Sequence, residues 1–290
     1  HHGPVSYDKN FKGNDQQVGY AMKWIGHIGG NNQRTFLELN KGKTYTDYLN
    51  ALNHYTAPAQ NFVFASTTGD IALWIQGQFP NKWKGQGKFL MDGSNPKNDW
   101  QSFIPQEYNA HTKNPERGFV SSANQHPTDE HYPFYVFNDG YETYRNRVIN
   151  DFFNSKEKFS LTDFKELQNN NYDLKAAELL PYIFANMDTA SLDSNETDLL
   201  NILKSWDFNN ELNQLAPSIW AVWWSKLYHL TWDEYNAEDV ALDKPFAYQT
   251  IYMLKNLPED AFMDIIGTPE IETSKDLFLV SGIIFQTKIN

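Results

Sequence analysis

The hydrophobic period of this chain changes near Gly140, and that change limits the folds open to it. Upstream the apolar residues alternate in short runs. "NFVFASTTGDIALWIQGQF" (61–79) reads as two β runs joined at Thr67-Thr68-Gly69-Asp70, a hairpin with turn residues at its centre. Before it, "TYTDYLNALNHYTAP" (44–58) sets Tyr45, Tyr48, Leu49 and Leu52 at helical spacing and stops near a proline. Downstream the period is 3.6. "YETYRNRVINDFF" (141–153) lines up Tyr144, Val148, Ile149, Phe152 and Phe153 on one stripe, and Ser160 stands three residues before Asp163 in a capping-box-like start. Helix-like segments follow at 173–187, 196–206, 217–230 and 245–257, separated by Asn, Asp, Gly or Pro, and 276–290 reads as a last helix. The expected fold class is α+β, with residues 1–139 as a β-rich part and residues 140–290 as a mainly helical region. The first residues read as a strand without a predecessor, so the chain is expected to be cut at both ends.

Composition removes several function classes. The formal charge is −12, from 36 acidic against 24 basic residues, so no nucleic-acid partner is expected, because phosphates demand a basic surface. There is no cysteine, which excludes disulfides, thiolate metal sites and a cysteine nucleophile. No apolar run approaches the ~20 residues of a membrane span. Hydrophobic residues make up 40% of the chain and aromatics 16%, enough for a substantial core.

Local chemistry is sparse. No nucleophile elbow, Walker loop, zinc-binding helix signature or dinucleotide glycine fingerprint occurs. "HPTDEH" (126–131) groups two histidines with Asp129 and Glu130, but a spacing of five and Pro127 favour a solvated loop over a metal site. Glu196 and Asp198 sit at a helix start, where the dipole favours acids. "WAVWW" (220–224) would line a groove for a ligand or form core, and the helical recurrence of Ile219, Val222, Trp223 and Leu227 favours core. "NPERGFVSSANQ" (114–125) begins as a turn, runs through a short apolar strand and ends on Asn124. Taken alone, Asn124 is a turn or cap residue and Arg145 a surface arginine.

Together the motifs carry more. "HGPV" (2–5), "PAQNFVFASTTGDIALWIQGQFP" (58–80), "DG" and "DWQSFIPQE" (92–107), "NPERGFVSSANQ" and "YRNRVINDFF" occur in an order and spacing that resemble the β chain of the penicillin acylase family of N-terminal-nucleophile hydrolases. The resemblance covers most of the chain to about Tyr228. It implies an incomplete share of an αββα sandwich followed by a mostly helical second half. In that family the N-terminal serine of the β chain attacks the amide carbonyl with its own α-amino group as base. The resemblance places the family's oxyanion-hole asparagine at Asn124, and an arginine that orients polar groups of the site at Arg145, four residues before Ile149.

The departures are equally concrete. No serine precedes the HGPV strand, so the nucleophile would lie on a missing N-terminal part of the β chain. Two calcium-binding aspartates of the family fall in that part, and the third position falls near Val136, so no metal or other cofactor is expected. The implied function is hydrolysis of a non-peptide linear amide, with a small-molecule amide as substrate, the missing α chain and β-chain segment as partners, and a periplasmic or extracellular location. This chain alone is expected to be inactive. A ligand-binding module and a non-catalytic acylase homologue with a scaffolding role are the rival readings.

Overall fold

The structure is a computed structural model and describes residues 2–7, 19–136, 142–237 and 243–283. Two compact units divide the chain, residues 1–139 and residues 140–290.

In the first unit, β1 (Val5–Tyr7) pairs antiparallel with β2 (Tyr20–Ala21). Two helices follow, α1 (Asn32–Lys41) and α2 (Tyr45–Leu52). The α2 start is a capping box: the Thr44 side chain accepts from the Asp47 N–H at 3.1 Å, and Asp47 Oδ2 accepts from the Thr44 N–H at 3.0 Å. The hairpin expected over 61–79 forms as β3 (Gln60–Ala65) and β4 (Ile71–Gln76), antiparallel, with the turn at 66–70 and Gly69 at φ +96°. A third strand, β5 (His111–Lys113), pairs with β4 to give the order β3-β4-β5.

Register decides what each sheet face carries. Phe62 lies opposite Trp74 and Phe64 opposite Ala72, and these side chains pack with Tyr48 and Leu52 of α2. The Tyr48 hydroxyl donates to the Phe62 carbonyl at 2.8 Å, so burial of that tyrosine leaves no orphan proton. The alternate residues, Val63 opposite Leu73 and Asn61 opposite Ile75, belong to the other face. Val63 is 62% exposed there.

The second unit is mainly helical in its described residues. It comprises α3 (Tyr144–Asn154), α4 (Leu161–Gln168), α5 (Leu174–Asn186), α6 (Ser194–Lys204), α7 (Ala216–Thr231), α8 (Glu234–Ala237), α9 (Ala247–Asn256) and α10 (Ser274–Ile283). The part of the expected last helix beyond Ile283 lies outside the described residues. Helix α7 is central, with α6, α9 and α10 packed on it. Its Ile219, Trp220, Trp223 and Leu227 are buried with Leu179, Leu180 and Ile183 of α5 in one core. The indole N–H of Trp220 donates to Asp173 Oδ2 at 3.1 Å and that of Trp223 to Ser281 Oγ at 2.9 Å. The tryptophans are therefore satisfied core and not a groove. Glu196 does more than meet a helix dipole: its Oε2 accepts from the Asp193 N–H at 2.8 Å while Asp193 Oδ1 accepts from the Glu196 N–H at 2.9 Å, closing a capping box.

The α4 box adds a pH dependence. Lys156, then the Ser160 N–H and hydroxyl, hold the Asp163 carboxyl down at about 2. A depressed folded-state value means that its contribution is complete above the ordinary carboxylate range and is lost as pH falls from about 4 towards 2. Asp163→Asn should therefore flatten the acid limb of unfolding followed by circular dichroism. Superimposable acid limbs for the two proteins would refute this.

Candidate active site

The segment 114–125 departs from the expected strand. Strand β5 ends at Lys113, and Asn114 follows at φ 48°, a left-handed conformation that asparagine tolerates. Its backbone N–H donates to the Ile71 carbonyl at 2.9 Å, its Oδ1 accepts from the Ile71 N–H at 2.9 Å, and its Nδ2 donates to Asp70 Oδ1 at 2.7 Å. The ladder stops because this one side chain takes the next strand bond and ties β5 to the hairpin turn. Asn114 and then Lys113 lower the Asp70 carboxyl, and Lys113 Nζ lies 3.2 Å from it. The chain then turns, with the Gly118 N–H donating to the Pro115 carbonyl at 2.9 Å. Residues 119–125 carry no strand pairing.

Asn124 stands at φ 63° and is exposed, while Ser121 and Ala123 beside it are buried. The Gln125 side chain clamps that turn: its Oε1 accepts from the Ala123 N–H at 2.8 Å and its Nε2 donates to the Ser121 carbonyl at 3.3 Å.

Arg145 lies in the first turn of α3, in the second unit, and is exposed. Arg147 differs. It pairs with Glu178 of α5, which raises its pKa, and its guanidinium stands 6.0 Å from the Tyr144 ring. Two residues along a helix turn the side chain by about 200°. The two arginines therefore face opposite ways, and Glu178 of α5 holds Arg147.

A cavity of about 250 Å³ opens on the first unit's sheet, walled by Ile75, Phe79, Ile104 and Val136. Pro127 and Thr128 border it, three and four residues beyond Asn124. Three residues of chain span at most about 11 Å. The polar side chains in the cavity's lining are Lys82, Asn109, Thr128, Tyr132 and Tyr135. Burial lowers the Lys82 ammonium below its ordinary value, and among the described residues no carboxylate or hydrogen-bond acceptor pairs with it. Asn109 is 1% exposed; its Nδ2 donates to Gln76 Oε1 at 3.2 Å and to the Gly77 carbonyl at 3.1 Å, while its Oδ1 is buried without a partner. Neither residue stands in a motif, so the sequence reading missed both. An isolated Lys between Asn and Trp carries no signal of its own.

Val136 at the family's third calcium position is an apolar wall, and calcium takes six to eight oxygen ligands. The Val136 side chain supplies none. "HPTDEH" is a loop in which His126 Nδ1 lies 2.8 Å from the Thr128 carbonyl, and the described residues hold no group of three metal-ligating side chains.

Comparison with known proteins places this geometry. The penicillin amidase family model matches residues 1–282. An acyl-homoserine lactone acylase from Pseudomonas syringae pv. tomato is 26% identical over 114 residues, which are 39% of this chain and 14% of that protein. Its Pseudomonas putida counterpart is 26% identical over 108 residues, 37% of this chain and 13% of that protein. These curated relatives are matched over only about a seventh of their length. Among solved structures, a thermostable penicillin G acylase from Alcaligenes faecalis superposes with a TM-score of 0.68 at 16% identity, covering 97% of this chain and 55% of that one.

Proposed function

The chain belongs to the penicillin amidase family, and from that premise we propose that it is part of an amidase that cleaves a non-peptide linear C–N amide bond. Members of this family are processed, multi-chain enzymes acting on small amides, generally secreted or periplasmic. In the proposed reaction a serine at the start of a segment outside this sequence attacks the carbonyl carbon, and its α-amino group accepts the hydroxyl proton. The C=O electron pair moves onto oxygen, where the Asn124 amide donates to the oxyanion. Collapse expels the amine with that proton, and water then hydrolyses the acyl ester to a carboxylic acid. The observation that carries this reading is an exposed, left-handed Asn124 at the position given by the family motif. The enzyme is placed outside the cytoplasm, with a small amide as substrate and the remaining chains as partners.

The test is release of free amine by the full-length polypeptide from phenylacetyl amides and from N-acyl-homoserine lactones. Turnover that is absent from this chain alone and requires the serine supports the proposal. No amine above the uncatalysed rate from either substrate class would reject it in favour of a non-catalytic homologue.

Arg145 is proposed to orient polar groups of the same site. Arg145→Ala in the full-length polypeptide should lower kcat at least tenfold without lowering Tm, since the side chain is exposed on α3. Arg147→Ala should lower Tm, because Glu178 loses its partner. The reverse pattern would transfer the role to Arg147.

A further inference from the structure

We propose that the loop 83–91 is a peripheral membrane anchor that seats Trp83, Phe89 and Leu90 in the headgroup region of an anionic phospholipid bilayer. Phe89 and Leu90 are adjacent and 78% and 81% exposed, and Trp83, 52% exposed, walls the same open hollow with Met91. The exposed tip rests on a fixed base. Gln86 is buried beneath it: its Oε1 accepts from the Trp83 N–H at 3.2 Å, and its Nε2 donates to the Asn98 carbonyl at 3.1 Å and to the Asp99 carbonyl at 3.2 Å. Gly85 at φ +89° and Gly87 at φ +80° make the turn, and the Lys88 N–H closes it on the Gly85 carbonyl at 3.1 Å. A turn held this way keeps two large apolar side chains in water, where each is costly unless something covers it.

Charge selects the partner. Residues 82–98 carry four lysines, Lys82, Lys84, Lys88 and Lys97, against one acid, Asp92, in a chain whose formal charge is −12. Asp92 Oδ1 accepts from the Ser94 hydroxyl at 2.6 Å and N–H at 2.9 Å, and Asp99 at the loop's base pairs with Lys23. Lys84 and Lys88 are exposed, and Lys88 Nζ stands 5.8 Å from the Phe89 ring. Cations set beside exposed aromatic and aliphatic side chains match a surface whose phosphates are anionic and whose acyl boundary is apolar. Tryptophan favours that same boundary. A second copy of this patch would set lysines against lysines, so self-docking is the poorer match. The negative charge elsewhere on the chain is screened over about 8–10 Å at physiological salt and leaves the local excess in force. Among the described residues no helix is long and apolar enough to cross a membrane, and a contact at the headgroups needs none. This assignment needs no nucleophile and stands apart from the amide-cleavage reading.

The test is flotation of the full-length polypeptide with vesicles of phosphatidylcholine alone and of phosphatidylcholine mixed with phosphatidylglycerol. Binding to the mixed vesicles that weakens with added salt is expected, with little binding to phosphatidylcholine alone. Phe89→Ser combined with Leu90→Ser should lower the partition coefficient at least about tenfold, and Lys84→Gln and Lys88→Gln about fivefold each. All four side chains are exposed, so the Tm of each variant should match that of the wild type. Absence of binding to the mixed vesicles would overturn the proposal, as would binding that the Phe89 and Leu90 substitutions leave unchanged. Vesicle binding by this chain that the full-length polypeptide lacks would mean that another segment covers the tip. Self-association through Phe89 and Leu90 without vesicle binding would make the tip an interface between copies. Either of these results also overturns the proposal.

Discussion

Asn124→Ala in the full-length polypeptide should lower kcat by about 10²–10³ and leave KM nearly unchanged, because the bond to the oxyanion strengthens mainly in the transition state. That corresponds to roughly 3–4 kcal/mol of barrier. The fold should be retained, since Asn124 is exposed and the Gln125 side chain clamps the turn. The left-handed backbone supplies a control. Alanine at φ 63° carries a strain of about 1–2 kcal/mol that glycine does not. Asn124→Gly removes the amide while keeping the turn relaxed, so it should lose kcat as completely as the alanine variant. If the glycine variant retains wild-type kcat, the residue serves the turn and not the oxyanion. Melting curves of all three proteins complete the comparison. A lowered melting temperature with kcat per folded molecule intact would restore the turn-residue reading.

Trp223→Ala should be the most damaging single change in the helical unit, costing about 3–5 kcal/mol of stability. The ring is 1% exposed and lies in the core with α5, α6 and α10. A Cβ placed at Gly282 would lie 3.5 Å from its indole, so the ring packs directly beside that helix position. Trp223→Phe should cost less, because most of the ring volume stays and Ser281 still donates to the Leu277 carbonyl. Tyr252→Ala, on the 61% exposed tyrosine of α9, should change stability by no more than about 0.5 kcal/mol. Urea unfolding of the chain, followed by far-UV circular dichroism, reads all three. A Trp223→Ala cost under about 1 kcal/mol would mean that α7 is not the centre of that core.

Element types were legible because they rest on local periods. The stripe on α7, the hairpin over 61–79 and the Ser160 cap each need only neighbours within a few residues, and each forms. The strand expected at 114–125 failed for a long-range reason. Asn114 spends its side chain on Ile71 and Asp70, residues that hairpin folding brings alongside, and the ladder ends one residue after Lys113.

The sequence by itself determined the α+β order, the helical second half and, through its motifs, the resemblance that singled out Asn124 and Arg145. It gave no sign of which way either side chain would face. Only the tertiary structure decided that Asn124 sits exposed in a left-handed turn and that Glu178 of α5 engages Arg147. It also brought Lys82 and Asn109 into one cavity lining, where neither the Lys82 ammonium nor Asn109 Oδ1 has a partner among the described residues. Periodicity is a property of neighbours along the chain, whereas desolvation and pairing depend on which distant residues arrive, and no local pattern encodes that.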